Sequence, residues 1–76
     1  MPHFRLTVER APGALERVLL VARRRGLGVE TLSVTTAADG DWRVSLVAGS
    51  SPADAALALH QFRALVNVRH AALEEV

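Results

Sequence analysis

The segment from Pro12 to Val34, PGALERVLLVARRRGLGVETLSV, constrains the fold most, because it reads as a helix marked at both ends and followed at once by a strand. Pro12 is expected just inside the helix start, where its missing N–H costs nothing. Gly26 stands where a helix closes on a left-handed residue. Between them Leu15, Val18, Leu19 and Ala22 recur at helical spacing and predict a buried stripe. Glu16 in the first turn and Arg23, Arg24 and Arg25 in the last suit the helix dipole at both ends.

The flanks of this unit alternate. His3 to Glu9 sets Phe4, Leu6 and Val8 on one side and Arg5, Thr7 and Glu9 on the other, the pattern of a half-buried strand. Leu27 to Thr36, rich in Val, Leu and Thr, predicts a second strand. Its apolar positions Val29, Leu32 and Val34 change parity between the first two, so either a bulge lies near Glu30 and Thr31 or one residue faces a partner. Ala38-Asp39-Gly40-Asp41 is a turn signal, and Trp42 to Ala48 resumes the alternation with Trp42, Val44 and Leu46 on one face, completing a hairpin. Ser51 and Pro52 are a helix cap and first turn. The helix they start is expected to run to about Leu65, burying Ala55, Ala58, Leu59, Phe62 and Leu65. Val66 to Leu73 reads as a last strand, with Glu74 and Glu75 in a frayed tail.

Strand, helix, strand, strand, helix, strand is most economically an α+β, ferredoxin-like βαββαβ domain: a four-stranded antiparallel sheet with two helices on one face. At 76 residues, residues 1–76 are expected to make one domain, and a domain of this size buries only about 60% of the surface its unfolded chain exposes. A thin core favours a partner. Phe4, Trp42 and Phe62 are the aromatic residues, so Leu, Val and Ala must build most of that core.

The net charge is +1 even though all nine basic residues are arginines, so no global field for nucleic acid is indicated. The absence of cysteine removes disulfides, thiol catalysis and cysteine-ligated metals, and fits a reducing compartment. The apolar runs are too short to span a membrane and the chain opens on a strand pattern, so a soluble, cytoplasmic protein without a membrane partner is expected.

Little here carries chemistry. His3 and His70 fall on strands that are neighbours in this fold, but His60 lies on a helix, and no third ligand or carboxylate completes a metal site. No Ser, His and Asp form a nucleophile motif, and Gly26-Leu27-Gly28 lacks the rest of a dinucleotide fingerprint, so no catalytic residue is assigned. Arg23-Arg24-Arg25 is read as a solvated, dipole-compensating helix end rather than a phosphate grip. An RNA-binding sheet needs exposed aromatics, whereas Arg5, Thr7, Arg43 and Ser45 are expected outward here. Leu20, Leu57, Val47 and Leu73 lie off their apolar stripes, either as isolated surface residues or as contacts with other subunits.

Four segments in register resemble the ACT domain of the small, regulatory subunits of acetohydroxyacid synthase, also called acetolactate synthase. They are Pro12-Gly13-Ala14-Leu15, Arg24-Arg25-Gly26 with Val29-Glu30-Thr31-Leu32-Ser33-Val34, Trp42-Arg43-Val44-Ser45-Leu46, and Gln61-Phe62-Arg63-Ala64-Leu65-Val66-Asn67-Val68. The resemblance covers nearly the whole chain, and its length and Leu15-Glu16-Arg17-Val18-Leu19 are similar to the short, isozyme II type of subunit. It implies a non-catalytic subunit that binds and activates a large catalytic subunit in branched-chain amino-acid biosynthesis. Thiamine diphosphate, Mg and FAD would belong to that partner, and none to this chain.

In valine-sensitive members of that family the effector lies between two ACT domains, held by the turn before the first helix and by the start of the second strand of the neighbour. The resemblance carries this role to Arg10, Gly13, Ala14 and Leu15, with Gly28, Val29 and Glu30. The asparagines of those relatives are Arg10 and Gly28 here. Two polar anchors are thus replaced, so a mainly activating subunit with valine feedback weakened or lost is the expectation. A homodimer through exposed sheet edges is expected as well. The alternatives are a stand-alone ACT-type amino-acid sensor acting on another enzyme, and an RNA-binding module.

Overall fold

The computed structural model describes residues 1–75, and among them six elements follow the expected order. They are β1 (Pro2–Val8), α1 (Ala14–Arg24), β2 (Gly28–Thr36), β3 (Trp42–Gly49), α2 (Pro52–Ala64) and β4 (Val68–Glu75). The strands form one antiparallel sheet in the order β2-β3-β1-β4. Both helices cover the same face, so the architecture is the ferredoxin-like βαββαβ arrangement.

Alternation decides which side chains enter the core. Phe4, Leu6 and Val8 of β1 and Val44, Leu46 and Ala48 of β3 are buried beneath the helices. Phe4 meets Phe62 of α2 edge to face, with ring centroids 5.3 Å apart, an arrangement that suits the ring quadrupoles. Small residues, Ala14 and Ala22 on α1 and Ala55 and Ala58 on α2, complete the core.

Helix α1 starts later than the sequence suggests. Gly13 is its N-cap with φ 78, a left-handed backbone that excludes it from the helix, so Pro12 lies in the preceding turn. The other end is as read: Gly26 has φ 68, and its N–H donates to Arg23 O while that of Leu27 donates to Ala22 O, the paired closure of a Schellman motif. The buried stripe is Ala14, Val18, Val21 and Ala22. Leu15 is half-buried, and Leu19, about 100° round the helix from Val18, is exposed instead of buried.

Helix α2 is capped as expected, the Ser51 hydroxyl accepting from the Asp54 N–H at 3.1 Å with Pro52 following. Its buried residues are Ala55, Ala58 and Phe62, while Leu59 and Leu65 pack against the core half-buried. Strand β4 begins after the expected position because Asn67 is tied into the turn. Its carbonyl accepts from the Glu9 N–H, its amide donates to Glu9 Oε1, and its Oδ1 accepts from Arg17. Val66 is left outside. Glu74 and Glu75 are not frayed: they pair with His3 and Pro2, and Arg5 binds Glu74 at 2.9 Å. Register also places Leu73 opposite Phe4, on the helix side, where it packs against the core rather than off the stripe.

The parity change in β2 is a bulge. Val29 pairs with Ala48 and Thr31 with Val47, leaving Glu30 as the extra residue. Val29, Leu32 and Val34 therefore all point to the helix side.

Candidate functional site

The chain turns from β1 into α1 through Arg10-Ala11-Pro12-Gly13. Proline stiffens this turn and the left-handed glycine ends it, so the backbone presents the helix start without a side-chain cap. Ala14 N–H donates to Ala11 O and Arg17 N–H to Gly13 O. Among the described residues no acceptor meets the N–H groups of Leu15 and Glu16, two of the donors that any helix start leaves open.

Beside this helix start lies a depression of about 340 Å³, lined by Arg10, Ala11, Pro12, Gly13, Glu16 and Trp42. The Arg10 guanidinium sits over the Trp42 ring, 5.9 Å from its centroid, a contact that holds the cation in place. Arg17 lies near the turn but not in the lining of the depression: a Cβ added to Gly13 would stand 3.8 Å from its guanidinium carbon. Arg17 is itself anchored to Asn67 at 2.7 Å. The depression thus has an open helix start, one cation and one carboxylate, groups able to meet the two charges of a small zwitterion.

Of the seven residues picked out from the sequence, four gather here. Arg10 and Gly13 line the depression. Ala14 is buried in the core, so only its backbone is available, and the half-buried Leu15 offers its amide. Gly28, Val29 and Glu30 are elsewhere. Val8 pairs with Trp42 and Trp42 with Thr36, so the turn lies level with the end of β2, whereas Gly28 pairs with Gly49 at the opposite end of the sheet. One protomer does not bring the two groups together.

Trp42 and Glu16 join the site without having been expected in it. Glu16 stands on the first turn of α1, so the helix start itself is its signal in the sequence. Trp42 enters through the register, because antiparallel pairing sets the start of β3 beside the end of β1.

The second strand is bare. All nine residues of β2 are exposed, and Val29, Leu32 and Val34 on its helix side remain 40–43% accessible. It is an unpaired edge with an apolar flank.

The candidate metal ligands stand apart among the described residues. No three candidate ligands cluster; His3, which shares a hydrogen bond with Ser45, is opposite Glu74, while His70 is opposite Thr7 further along. No helix among them is long and apolar enough to cross a membrane.

Residues 10–71 match the model of the ACT domain. The chain belongs to the ACT-domain family. ACT domains are regulatory modules. The fold superposes on the ACT domain of GTP pyrophosphokinase from Chlorobium tepidum with a TM-score of 0.80 at 15% identity, covering 96% of this chain and 95% of that one. It superposes on the acetolactate synthase small subunit of Thermotoga maritima with a TM-score of 0.82 at 20% identity, over 96% of this chain and 47% of that subunit. The C-terminal domain of the MgtC protein from Mycobacterium tuberculosis gives 0.73 at 15% identity, over 96% and 83%. These likenesses establish the ACT fold. No curated protein sequence matches the chain.

Proposed function

We propose that this ACT domain is a non-catalytic regulatory subunit of acetohydroxyacid synthase, working as a dimer joined along β2 and raising the activity of a thiamine-diphosphate-dependent large subunit. The carrying observation is the bare β2 edge, with its apolar flank and a single charged residue, Glu30, between Gly28 and Thr36. Such an edge invites a second strand. The four sequence segments that resemble the small subunits, and the similarity of fold to the Thermotoga maritima subunit, support the choice of enzyme.

Antiparallel pairing of β2 with its copy about a two-fold axis solves the separation of the two residue groups. It sets Gly28, Val29 and Glu30 of one protomer beside Val34 to Thr36 of the other, at the end of the sheet that carries Arg10, Gly13, Ala14 and Leu15. The effector site would then be shared, with Arg10 and the helix start for a carboxylate and Glu16 for an ammonium. With Arg10 and Gly28 in place of the two asparagines, valine is expected to inhibit weakly or not at all. The domain would act by binding the active state of the large subunit more tightly than the inactive one.

The test is pyruvate condensation by the large subunit of the same organism, with and without this chain. A several-fold higher rate and co-elution are expected; an unchanged rate with no co-elution would sink the proposal. A second reading, an ACT-type amino-acid sensor for another enzyme, draws on the depression at the β1–α1 turn. Calorimetry showing tight amino-acid binding without large-subunit association would favour it. The RNA-binding alternative loses its basis, since Phe4 and Phe62 are buried and Trp42 packs toward the core, leaving no aromatic on the open face of the sheet among the described residues.

A further inference from the structure

The sheet has a second face, turned away from the helices, that the effector site does not use. Pairing arranges its side chains in three rows across β2, β3, β1 and β4. They are Thr35, Arg43, Thr7 and His70; Ser33, Ser45, Arg5 and Ala72; and Thr31, Val47, His3 and Glu74. Short side chains occupy most of the middle. They leave a depression of about 490 Å³ walled by Arg5, Arg43, His70 and Glu74.

Its charge is also unbalanced. Glu74 is the acid of the face and Arg5 already holds it at 2.9 Å. Among the described residues no acid meets Arg43 or His70. Arg43 and Arg5 stand at diagonal positions on adjacent strands, where Cα atoms lie about 7–8 Å apart, so two guanidinium groups share one hollow with a single counter-charge, that of Glu74, between them. An incoming carboxylate relieves that repulsion and finds Thr7 and Ser45 hydroxyls beside it.

We infer that this open face docks on an acidic surface of the catalytic partner, an assignment that rests on the regulatory-subunit reading. Size agrees with it. Four strands about 4.8 Å apart and some six residues at about 3.3 Å each give roughly 400 Å² per protomer. Joining two sheets along β2 makes the faces continuous, and the resulting roughly 800 Å² equals one side of a standard stable interface. A second copy of the chain is a poor occupant, because opposing two such faces sets arginine against arginine. Nucleic acid is a poor one too, for want of a stacking residue.

The experiment measures binding of the chain to the large subunit of the same organism at low and moderate salt. Arg43→Glu is expected to weaken binding at least tenfold, Arg43→Gln by less, and salt to weaken the wild type. Arg24→Glu, on the far end of α1, is expected to bind as wild type does. Circular dichroism and the mass in solution check that each variant folds and keeps its oligomeric state. Undiminished binding by Arg43→Glu overturns the docking face and leaves the subunit reading standing; absence of wild-type binding overturns both. A fall in the mass of the isolated chain with Arg43→Glu would assign the face to a second copy, and RNA retention abolished by that variant would assign it to nucleic acid, each overturning the proposal.

Discussion

The two edges of the sheet are finished differently. On β4, Ala71 is buried, Val68 and Leu73 pack half-buried against the core, and the Arg63 side chain donates from α2 to the Ala71 carbonyl at 3.1 Å. Charges guard it: Arg69 binds Asp41 at 2.7 Å and Glu9 at 3.2 Å, and Glu74 is held by Arg5. On β2 every residue is exposed and the helix-side flank is Val29, Leu32 and Val34. The cause lies in the helix layer. Helix α2 brings Phe62 against Phe4 in the middle of the sheet and so covers the β4 side, while α1 packs through Ala14, Val18, Val21 and Ala22 and leaves β2 uncovered. One edge is covered by the chain's own helix and ion pairs, and the other is left bare.

The covered side is where the fold is most easily broken. Phe62→Ala removes a fully buried ring and its contact with Phe4, and is expected to cost about 3–5 kcal/mol of stability. Urea unfolding followed by circular dichroism measures it. A cost below about 1 kcal/mol would show that α2 does not hold the β4 side as described. Leu32→Lys probes the uncovered side. In the protomer the lysine stem lies along the surface that Leu32 half covers, for a cost of about 1 kcal/mol or less. In a β2-paired dimer two ammonium groups approach the seam, and the dissociation constant is expected to rise about 100-fold, about 2.8 kcal/mol. Sedimentation equilibrium reads this directly, and an unchanged dimer would move the interface away from β2.

Much of this contrast is legible in the order of residues alone. The caps Ser51 and Gly26 act locally through their own backbone, so neighbouring residues are enough to reveal their roles. The parity change between Val29 and Leu32 announces either a bulge or a partner contact, and the bulge at Glu30 is present. Periodicity misplaces Leu19 because Val18-Leu19-Leu20-Val21-Ala22 is apolar throughout and satisfies more than one helical stripe; tertiary contact chooses Val21. Glu74 and Glu75 carry no pattern of their own and become strand through distant partners, Pro2, His3 and Arg5. The site shows the same division. Gly13 is visible in its turn, whereas the arrival of Trp42 and the remoteness of Gly28 depend on strand order.

Smaller changes test how β4 is kept in place. Ser51→Ala deletes the cap of the helix that covers this edge, and a loss of about 1 kcal/mol is expected. Because Phe62 and the Arg63 contact lie on that helix, the loss should appear as faster hydrogen exchange at Ala71 and Leu73 with little change at Leu32. Equal acceleration along both edges would mean that α2 does not protect β4 selectively.

The smallest effect is expected at the ion pair on the β4 edge. Glu74 and Arg5 are each more than half exposed, at 52% and 59% of the side-chain surface, so solvent screens their attraction despite the 2.9 Å contact. Glu74→Gln is expected to change stability by no more than about 0.5 kcal/mol, in contrast to the apolar disruption at Phe62. Its larger consequence belongs to the open face, since freeing Arg5 beside Arg43 removes the acid of the three rows. Binding to the large subunit should therefore strengthen, by several-fold at low salt and less at moderate salt, while the unfolding midpoint stays nearly constant. A stability loss of about 2 kcal/mol or more would make Glu74 a structural staple of β4, and weaker binding would show that the partner meets this face with positive rather than negative charge.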